Sequence, residues 1–307
     1  MSGTEASGAG AVGSGSVGAG SVGSGSVGSG TVGSGSVGSG AVGSGGVCGD
    51  GGGGAAARVP LQVSLNGGRE AAEGAAVPMS PEDLARSAVA SVAAGAREVL
   101  VHPRTPCGRE SLSPRVVGPL LEALRGVGVS VPLSVPASIA AEPDPAARLG
   151  RVRSWDVLPD RAAVRFADPG AEELGLALLE RGVAVDAVVP LGGTAGPEPL
   201  GRFLAWAAPD HGRVRLVVEL PEADPALVAG LCWLPPVEVV LFGREAAAWP
   251  VLRLAARCGA GARVGVGDVL VLPDGRPARS NAELVTAALV EAEAEASRAA
   301  RATVGSR

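Results

Sequence analysis

A histidine and an arginine two residues apart, just past a short apolar run, mark the first place in this sequence where chemistry can be sought. The stretch Arg97 to Leu112 reads Arg-Glu-Val-Leu-Val-His-Pro-Arg-Thr-Pro-Cys-Gly-Arg-Glu-Ser-Leu. Glu98 to Val101 has the form of a buried strand, and His102 and Arg104 follow where the chain leaves it. Side chains at a strand end are fixed by the sheet yet reachable from a loop, which suits proton transfer or ligand binding. His102 is one of only two histidines; the other, His211, lies in a Pro-Asp-His-Gly turn before a later strand. Cys107 offers a thiol close by, but a nucleophilic thiol needs a positioned base, and a free surface thiol is the simpler reading.

The elements that must position such residues repeat along the chain. From residue 60 onward, short Val/Leu-rich runs alternate with Ala/Leu/Arg-rich segments, eight pairs in all. The strands predicted are Pro60 to Leu65, Glu98 to Val101, Ser130 to Leu133, Ala163 to Phe166, Ala184 to Val189, Arg213 to Glu219, Glu238 to Leu241 and Ala262 to Val266. Helices are predicted to begin near Ser80, Ser113, Asp144, Gly170, Pro197, Asp224, Glu245 and Asn281. Ser80-Pro81-Glu82-Asp83 supplies an N-cap serine, a proline at the first helical position and acids in the first turn, and Asp144-Pro145 and Asp224-Pro225 repeat the device. Eight βα units with near-continuous apolar strands point to a (β/α)8 TIM barrel over residues 58–307, with an open doubly wound sheet as the alternative.

In a barrel, function lies at the C-terminal ends of the strands. Those ends offer Asn66 and Arg69, His102 and Arg104, Ser134, and then Asp168, Asp186, Glu219, Arg244 and Asp268. His211 falls at the opposite face. Gly192-Gly193-Thr194 matches no phosphate-binding loop and reads as a turn.

The first 57 residues are of another kind. Valines recur every fifth position from Val12 to Val47 in a Gly/Ser background, and one valine per unit buries too little to offset the ordering of so much glycine. A disordered low-complexity tail is predicted. All 26 basic residues are arginine, the net charge is −5 and no basic run is interleaved with aromatics, which argues against nucleic acid as a partner. No run of about 18 apolar residues or signal-like start appears, and Cys48, Cys107, Cys232 and Cys258 form no metal-ligand spacing. A soluble cytoplasmic protein with free thiols is expected.

The order of several segments resembles a known family. Val63-Ser-Leu-Asn-Gly-Gly-Arg69, Val101-His-Pro-Arg104, Glu142-Pro-Asp-Pro-Ala-Ala-Arg148, Pro169-Gly-Ala-Glu-Glu-Leu174, Ala248-Trp-Pro-Val-Leu252, Arg263-Val-Gly265, Val271-Leu-Pro-Asp-Gly275 and Ser280-Asn-Ala-Glu-Leu-Val285 resemble the β-keto acid cleavage enzymes, the family of 3-keto-5-aminohexanoate cleavage enzyme. The resemblance implies a zinc-dependent TIM barrel, often oligomeric, that converts a β-keto acid and acetyl-CoA to acetoacetate and a new acyl-CoA. Its partners would be a small β-keto acid and acyl-CoA. It implies Asp268 and Arg263 as a catalytic pair, Ser134 as a catalytic hydroxyl and His102 as a zinc ligand; Arg104 and Asn66, read from the strand ends, are the substrate-binding candidates.

The family pattern is also broken here. Leu100 stands where the first histidine of a His-x-His pair belongs, and Gly267 where a glutamate ligand belongs. The Ser-Thr-Gly substrate loop becomes Ser134-Val135-Pro136, and a second hydroxyl position is Ala163. Two functions follow as alternatives: an acyl-CoA-dependent cleavage enzyme with an altered site, or a pseudoenzyme barrel that binds a small carboxylate, an acyl-CoA or a protein partner.

Overall fold

Period-two alternation decides the architecture. Leu61 and Val63, Val99, Leu133 and Val135, Val185 and Ala187, Leu216 and Val218, and Ala262 and Val264 join one large buried cluster with the helices. The intervening residues turn the other way, so each strand is covered on both faces, as parallel strands require. The computed structural model describes residues 60–305 except 195, 207, 209–210, 230 and 232–236. The glycine-rich tail, Cys48 and Cys232 lie outside the described residues, as does the side chain of His211.

Eight parallel strands close into a barrel in chain order, with the eighth pairing back to the first. They are β1 (Leu61–Ser64), β2 (Glu98–Leu100), β3 (Leu133–Pro136), β4 (Arg161–Arg165), β5 (Ala184–Pro190), β6 (Val214–Glu219), β7 (Val239–Phe242) and β8 (Gly261–Val264). The helices between and after them are α1 (Pro81–Ala93), α2 (Pro114–Gly126), α3 (Pro145–Arg153), α4 (Ala171–Glu180), α5 (Glu198–Ala205), α6 (Pro225–Ala229), α7 (Ala248–Cys258) and α8 (Asn281–Gly305). The (β/α)8 barrel is therefore the fold, and the open sheet is excluded by the β1–β8 pairing. The caps work as their residues predict: Ser80 accepts from Asp83 N at 3.1 Å and Asp144 from Ala147 N at 2.7 Å. No helix among the described residues is long and apolar enough to cross a membrane.

The third strand departs furthest from its predicted range. The run Ser130 to Leu133 is only the approach to β3, which begins at Leu133. Pro132 has no N–H and supplies only its carbonyl, to Val99 N at 3.0 Å. The first N–H of the strand, on Leu133, goes to Asp160 Oδ2 at 2.8 Å. Ser134 consequently sits inside the strand.

The barrel interior is layered. Across its middle, Leu100, Ala163, Val188, Val217, Val240 and Phe242 form a small apolar cluster separate from the outer core. Below them the interior is ionic, where the near-continuous apolar strands predicted none of this. Arg215, 2% exposed, donates from Nε to Asp186 Oδ1 at 2.8 Å and from Nη1 to Glu98 Oε1 at 2.6 Å. Arg161 joins Asp186 at 2.6 Å, Gln62 reaches Glu98 at 3.2 Å, and the Ser134 hydroxyl donates to Asp186 Oδ2 at 3.2 Å. Buried ions persist when paired and hydrogen-bonded in this way. Asp186, counted among strand-end candidates from sequence, belongs to this base because β5 runs on four residues beyond it.

Candidate functional site

The upper end of the barrel is shaped by the turn that follows β8. Asp268 N and Val269 N both return to Gly265 O, at 2.8 and 2.9 Å, which folds the chain back over the strand it has just left. The Asp268 carboxylate thereby meets Arg263 in a two-point pair, Nε to Oδ2 at 3.1 Å and Nη2 to Oδ1 at 2.8 Å. Both residues are buried, 5% and 1% exposed. The flat guanidinium of Arg263 lies 3.3 Å above the Phe242 ring, a stacked arrangement open to arginine alone among the cations.

Arg244, two residues past Phe242, approaches the same ring at 5.7 Å. Its Nε donates to Glu219 Oε1 at 2.8 Å, and Arg165 holds the other oxygen of that carboxylate. Burial works to raise the Glu219 pKa, but the charges of Arg244 and Arg165 outweigh it and hold the carboxyl below its usual range. Asp168 is moved the other way, raised by burial against the nearby Arg165, Arg148 and Arg202.

His102 stands in the loop after β2. Burial, and then the positive charges of Arg263, Arg244 and Arg104, push its pKa down to about 3, so the imidazole is neutral at pH 7. Its Nδ1 is buried and has no hydrogen-bond partner among the described residues. Together with Leu100, Ser138, Arg244, Arg263 and Asp268, His102 lines a cavity of about 130 Å³ at the barrel mouth. A groove of about 510 Å³ adjoins it, bordered by Gly192, Gly193, Thr194 and Pro221 and sharing Arg165 and Arg244 with the cavity.

The structure thus brings His102, Arg263 and Asp268 together, with Leu100 beneath them. Other residues singled out from sequence are placed elsewhere. Asn66 is fully buried, and its amide bonds the backbone of His102. Arg104 donates to Gly67 O at 2.7 Å and Gly108 O at 2.5 Å, and it borders a separate depression with exposed Cys107. The Ser134 hydroxyl is held by Asp186 in the barrel base, while Ser138, four residues on, lines the mouth. Arg69 reaches Val266 O at 2.5 Å and pairs with Glu73 and Glu245. Sequence reasoning missed Ser138, Phe242 and Arg165; Phe242, one of three phenylalanines and directly before Gly243-Arg244, carried the only visible signal.

The donors present do not fit a zinc ion. His102 faces the mouth, but Leu100 and Gly267 hold the other two positions that the resemblance assigns to ligands, and neither offers a donor atom. Among the described residues no three His, Cys, Asp or Glu side chains converge as a metal site. Zinc sites use three or four protein ligands.

A family profile described as beta-keto acid cleavage enzyme matches residues 58–170 and 214–303. No curated protein matches the chain. Among solved structures, a ternary complex of ObcA with a C4-CoA adduct and oxalate superposes with a TM-score of 0.52 at 17% identity, over 71% of this chain and 63% of the ObcA chain. A binary complex of ObcA with oxaloacetate gives a TM-score of 0.51 at 15% identity, again over 71% and 63%. A type I 3-dehydroquinate dehydratase from Clostridium difficile gives 0.52 at 13% identity, over 77% and 93%. The chain spans about 63% of the length of the ObcA chains it matches, and identities at this level speak to the fold.

Proposed function

Because the chain belongs to the β-keto acid cleavage enzyme family, we propose that its barrel mouth takes a small β-keto acid and cleaves it with acetyl-CoA, giving acetoacetate and a new acyl-CoA, on the Arg263–Asp268 pair. The observation that carries this reading is that pair, buried and joined at 3.1 and 2.8 Å in the wall of the mouth cavity. Asp268 is the carboxylate suited to take a proton from the carbon between the keto and carboxyl groups. Arg263 and Arg244 offset the negative charge that develops there, and the neutral His102 gives the same region a hydrogen-bonding nitrogen.

Size supports the division of the substrates. A cavity of about 130 Å³ suits a ligand of a few heavy atoms, since one of ~150 Å³ holds benzene. It has no room for a CoA, whose arm is assigned to the adjoining groove bordered by Gly192 and Thr194. Oxalate, oxaloacetate and a C4-CoA adduct are the ligands of the ObcA structures, and small carboxylates of that kind are the class proposed here.

A second reading, a barrel that binds the acid without cleaving it, is favoured by the placement of Ser134, whose hydroxyl lies in the base. Incubation of the purified protein with a panel of β-keto acids and acetyl-CoA, with new CoA thioesters followed by chromatography, separates the two. Acetoacetate and a matching acyl-CoA should appear and should vanish in Arg263→Ala. Saturable binding of the acids with no thioester formed would replace the first reading with the second.

A further inference from the structure

The loss of two donors is deepened by the backbone around them. A Cβ on Gly267 would lie 2.7 Å from Gly67 N and 2.9 Å from Gly67 Cα. The reverse is equally tight, a Cβ on Gly67 falling 2.6 Å from Gly267 Cα. Gly67 has φ +56, a left-handed conformation that glycine adopts at little cost. The two loops are also tied: Gly267 N donates to Ser64 O at 3.0 Å, Arg69 Nε to Val266 O at 2.5 Å and Arg104 Nη2 to Gly67 O at 2.7 Å. The loop after β1 therefore occupies the space from which a side chain at 267 would have to start.

Positive charge at the mouth comes instead from arginine. Arg263 uses Nε and Nη2 on Asp268, and its Nη1 has no hydrogen bond among the described residues. Arg244 uses only Nε, leaving both terminal nitrogens as donors. Its presentation is built into the backbone. Glu245, the next residue, has φ +48, the one positive φ of a non-glycine residue among the described residues, and its N–H is held by Asp268 O at 2.8 Å. A side chain on Gly243 would strike the backbone of Ala247, at 2.6 Å from its carbonyl oxygen. Strain of this kind persists where the surroundings enforce it, and here it sets Arg244 beside Arg263.

We propose that the Gly67–Gly267 contact closes this barrel to a third metal donor, and that Arg244 with Arg263 binds the carboxylate of the ligand in the place of a metal, as a metal-independent anion site. This rests on the reading of the mouth as the acid's site, and it makes Arg244 a specificity-determining residue.

The test is calorimetric titration of the full chain with malonate and acetoacetate, after dialysis against a chelator and again with zinc added, together with zinc binding by competition with a chromophoric chelator. Affinity is expected to be the same with and without zinc, to fall about tenfold or more in Arg244→Gln and to be partly kept in Arg244→Lys. The wild type and Leu100→His, a change that meets no backbone obstacle at position 267, are both expected to take up no zinc. Zinc bound at one per chain in the wild type, carboxylate binding abolished by the chelator, or unchanged affinity in Arg244→Gln would each overturn the proposal. Metal-free binding without turnover would defeat the cleavage reading alone, whereas turnover that requires zinc would defeat this one alone.

Discussion

Asn66 and His102 hold each other by two hydrogen bonds, Asn66 Nδ2 to His102 O at 3.0 Å and His102 N to Asn66 Oδ1 at 2.9 Å. The side-chain amide continues the β1–β2 ladder one step past Leu65 N to Leu100 O, at 2.9 Å, using a side chain where the backbones diverge. His102 is thus delivered to the mouth by a residue that never faces it.

Asn66→Ala should leave a buried N–H and a buried C=O of His102 without partners. At ~1–3 kcal/mol for each unsatisfied group, the loss should be at least about 2 kcal/mol, read as a lower denaturation midpoint in urea. Asn66→Asp keeps the acceptor for His102 N but sets a buried carboxylate against His102 O, and at neutral pH should lose at least as much.

Gly265→Ala should fail where Gly150→Ala succeeds. Gly265 has φ +156, and a Cβ there would sit 2.8 Å from the backbone N and C of Ser64. No rotation relieves a backbone clash, and the variant should lose more than about 4 kcal/mol or not fold. Gly150 lies within α3 with nothing inside 4 Å of a Cβ, so alanine should stabilise it by about 0.5–1 kcal/mol. Thermal unfolding of the two proteins checks both signs.

Arg215→Met should destabilise the barrel strongly. It removes the shared partner of Asp186 and Glu98 from a site 2% exposed; because Arg161 and Ser134 stay on Asp186 and Gln62 on Glu98, the loss should approach the lower end of the about 3–5 kcal/mol that a fully stranded buried charge costs. Guanidinium unfolding should show the loss, with near-native mouth chemistry in the fraction that folds.

Cys107 should alkylate at lower pH than an ordinary thiol. The Thr105 hydroxyl, 3.1 Å from Sγ, and then Arg109 favour the thiolate and bring its pKa down to about 7. Iodoacetamide labelling, followed by mass spectrometry, should reach half its maximal rate near pH 7, and Thr105→Val should move that midpoint upward.

Much of the fold was legible because its signals are local. Ser80 and Asp144 cap the helices that their spacing announced, and apolar alternation marked β1, β5 and β6 closely. Ser134 was misplaced because Val-Ser-Val-Pro-Leu-Ser-Val alternates in one unbroken phase from Val129 to Val135 and so marks no starting point for the strand, which the missing N–H of Pro132 sets. The base network was illegible for another reason: Glu98 and Arg215 are 117 positions apart, and nothing in either neighbourhood names the other. Of the mouth, His102, Arg244 and Asp268 could be read from strand ends and Arg263 only from the family resemblance, while the encroachment of Gly67 on Gly267 is a distance between loops that no spacing in the sequence encodes.

The Arg215–Glu98 bond joins β6 to β2, four strands away around a ring of eight and so directly across it. A closed sheet is stiff along its strands and yields most easily by flattening into an oval. The ion pair acts as a tie on one diameter: pressing the barrel out along β2 to β6 would pull two opposite charges apart. Whatever breathing admits a ligand at the mouth must therefore run along the other diameter, between β4 and β8, the strands that carry Arg165 and Arg263.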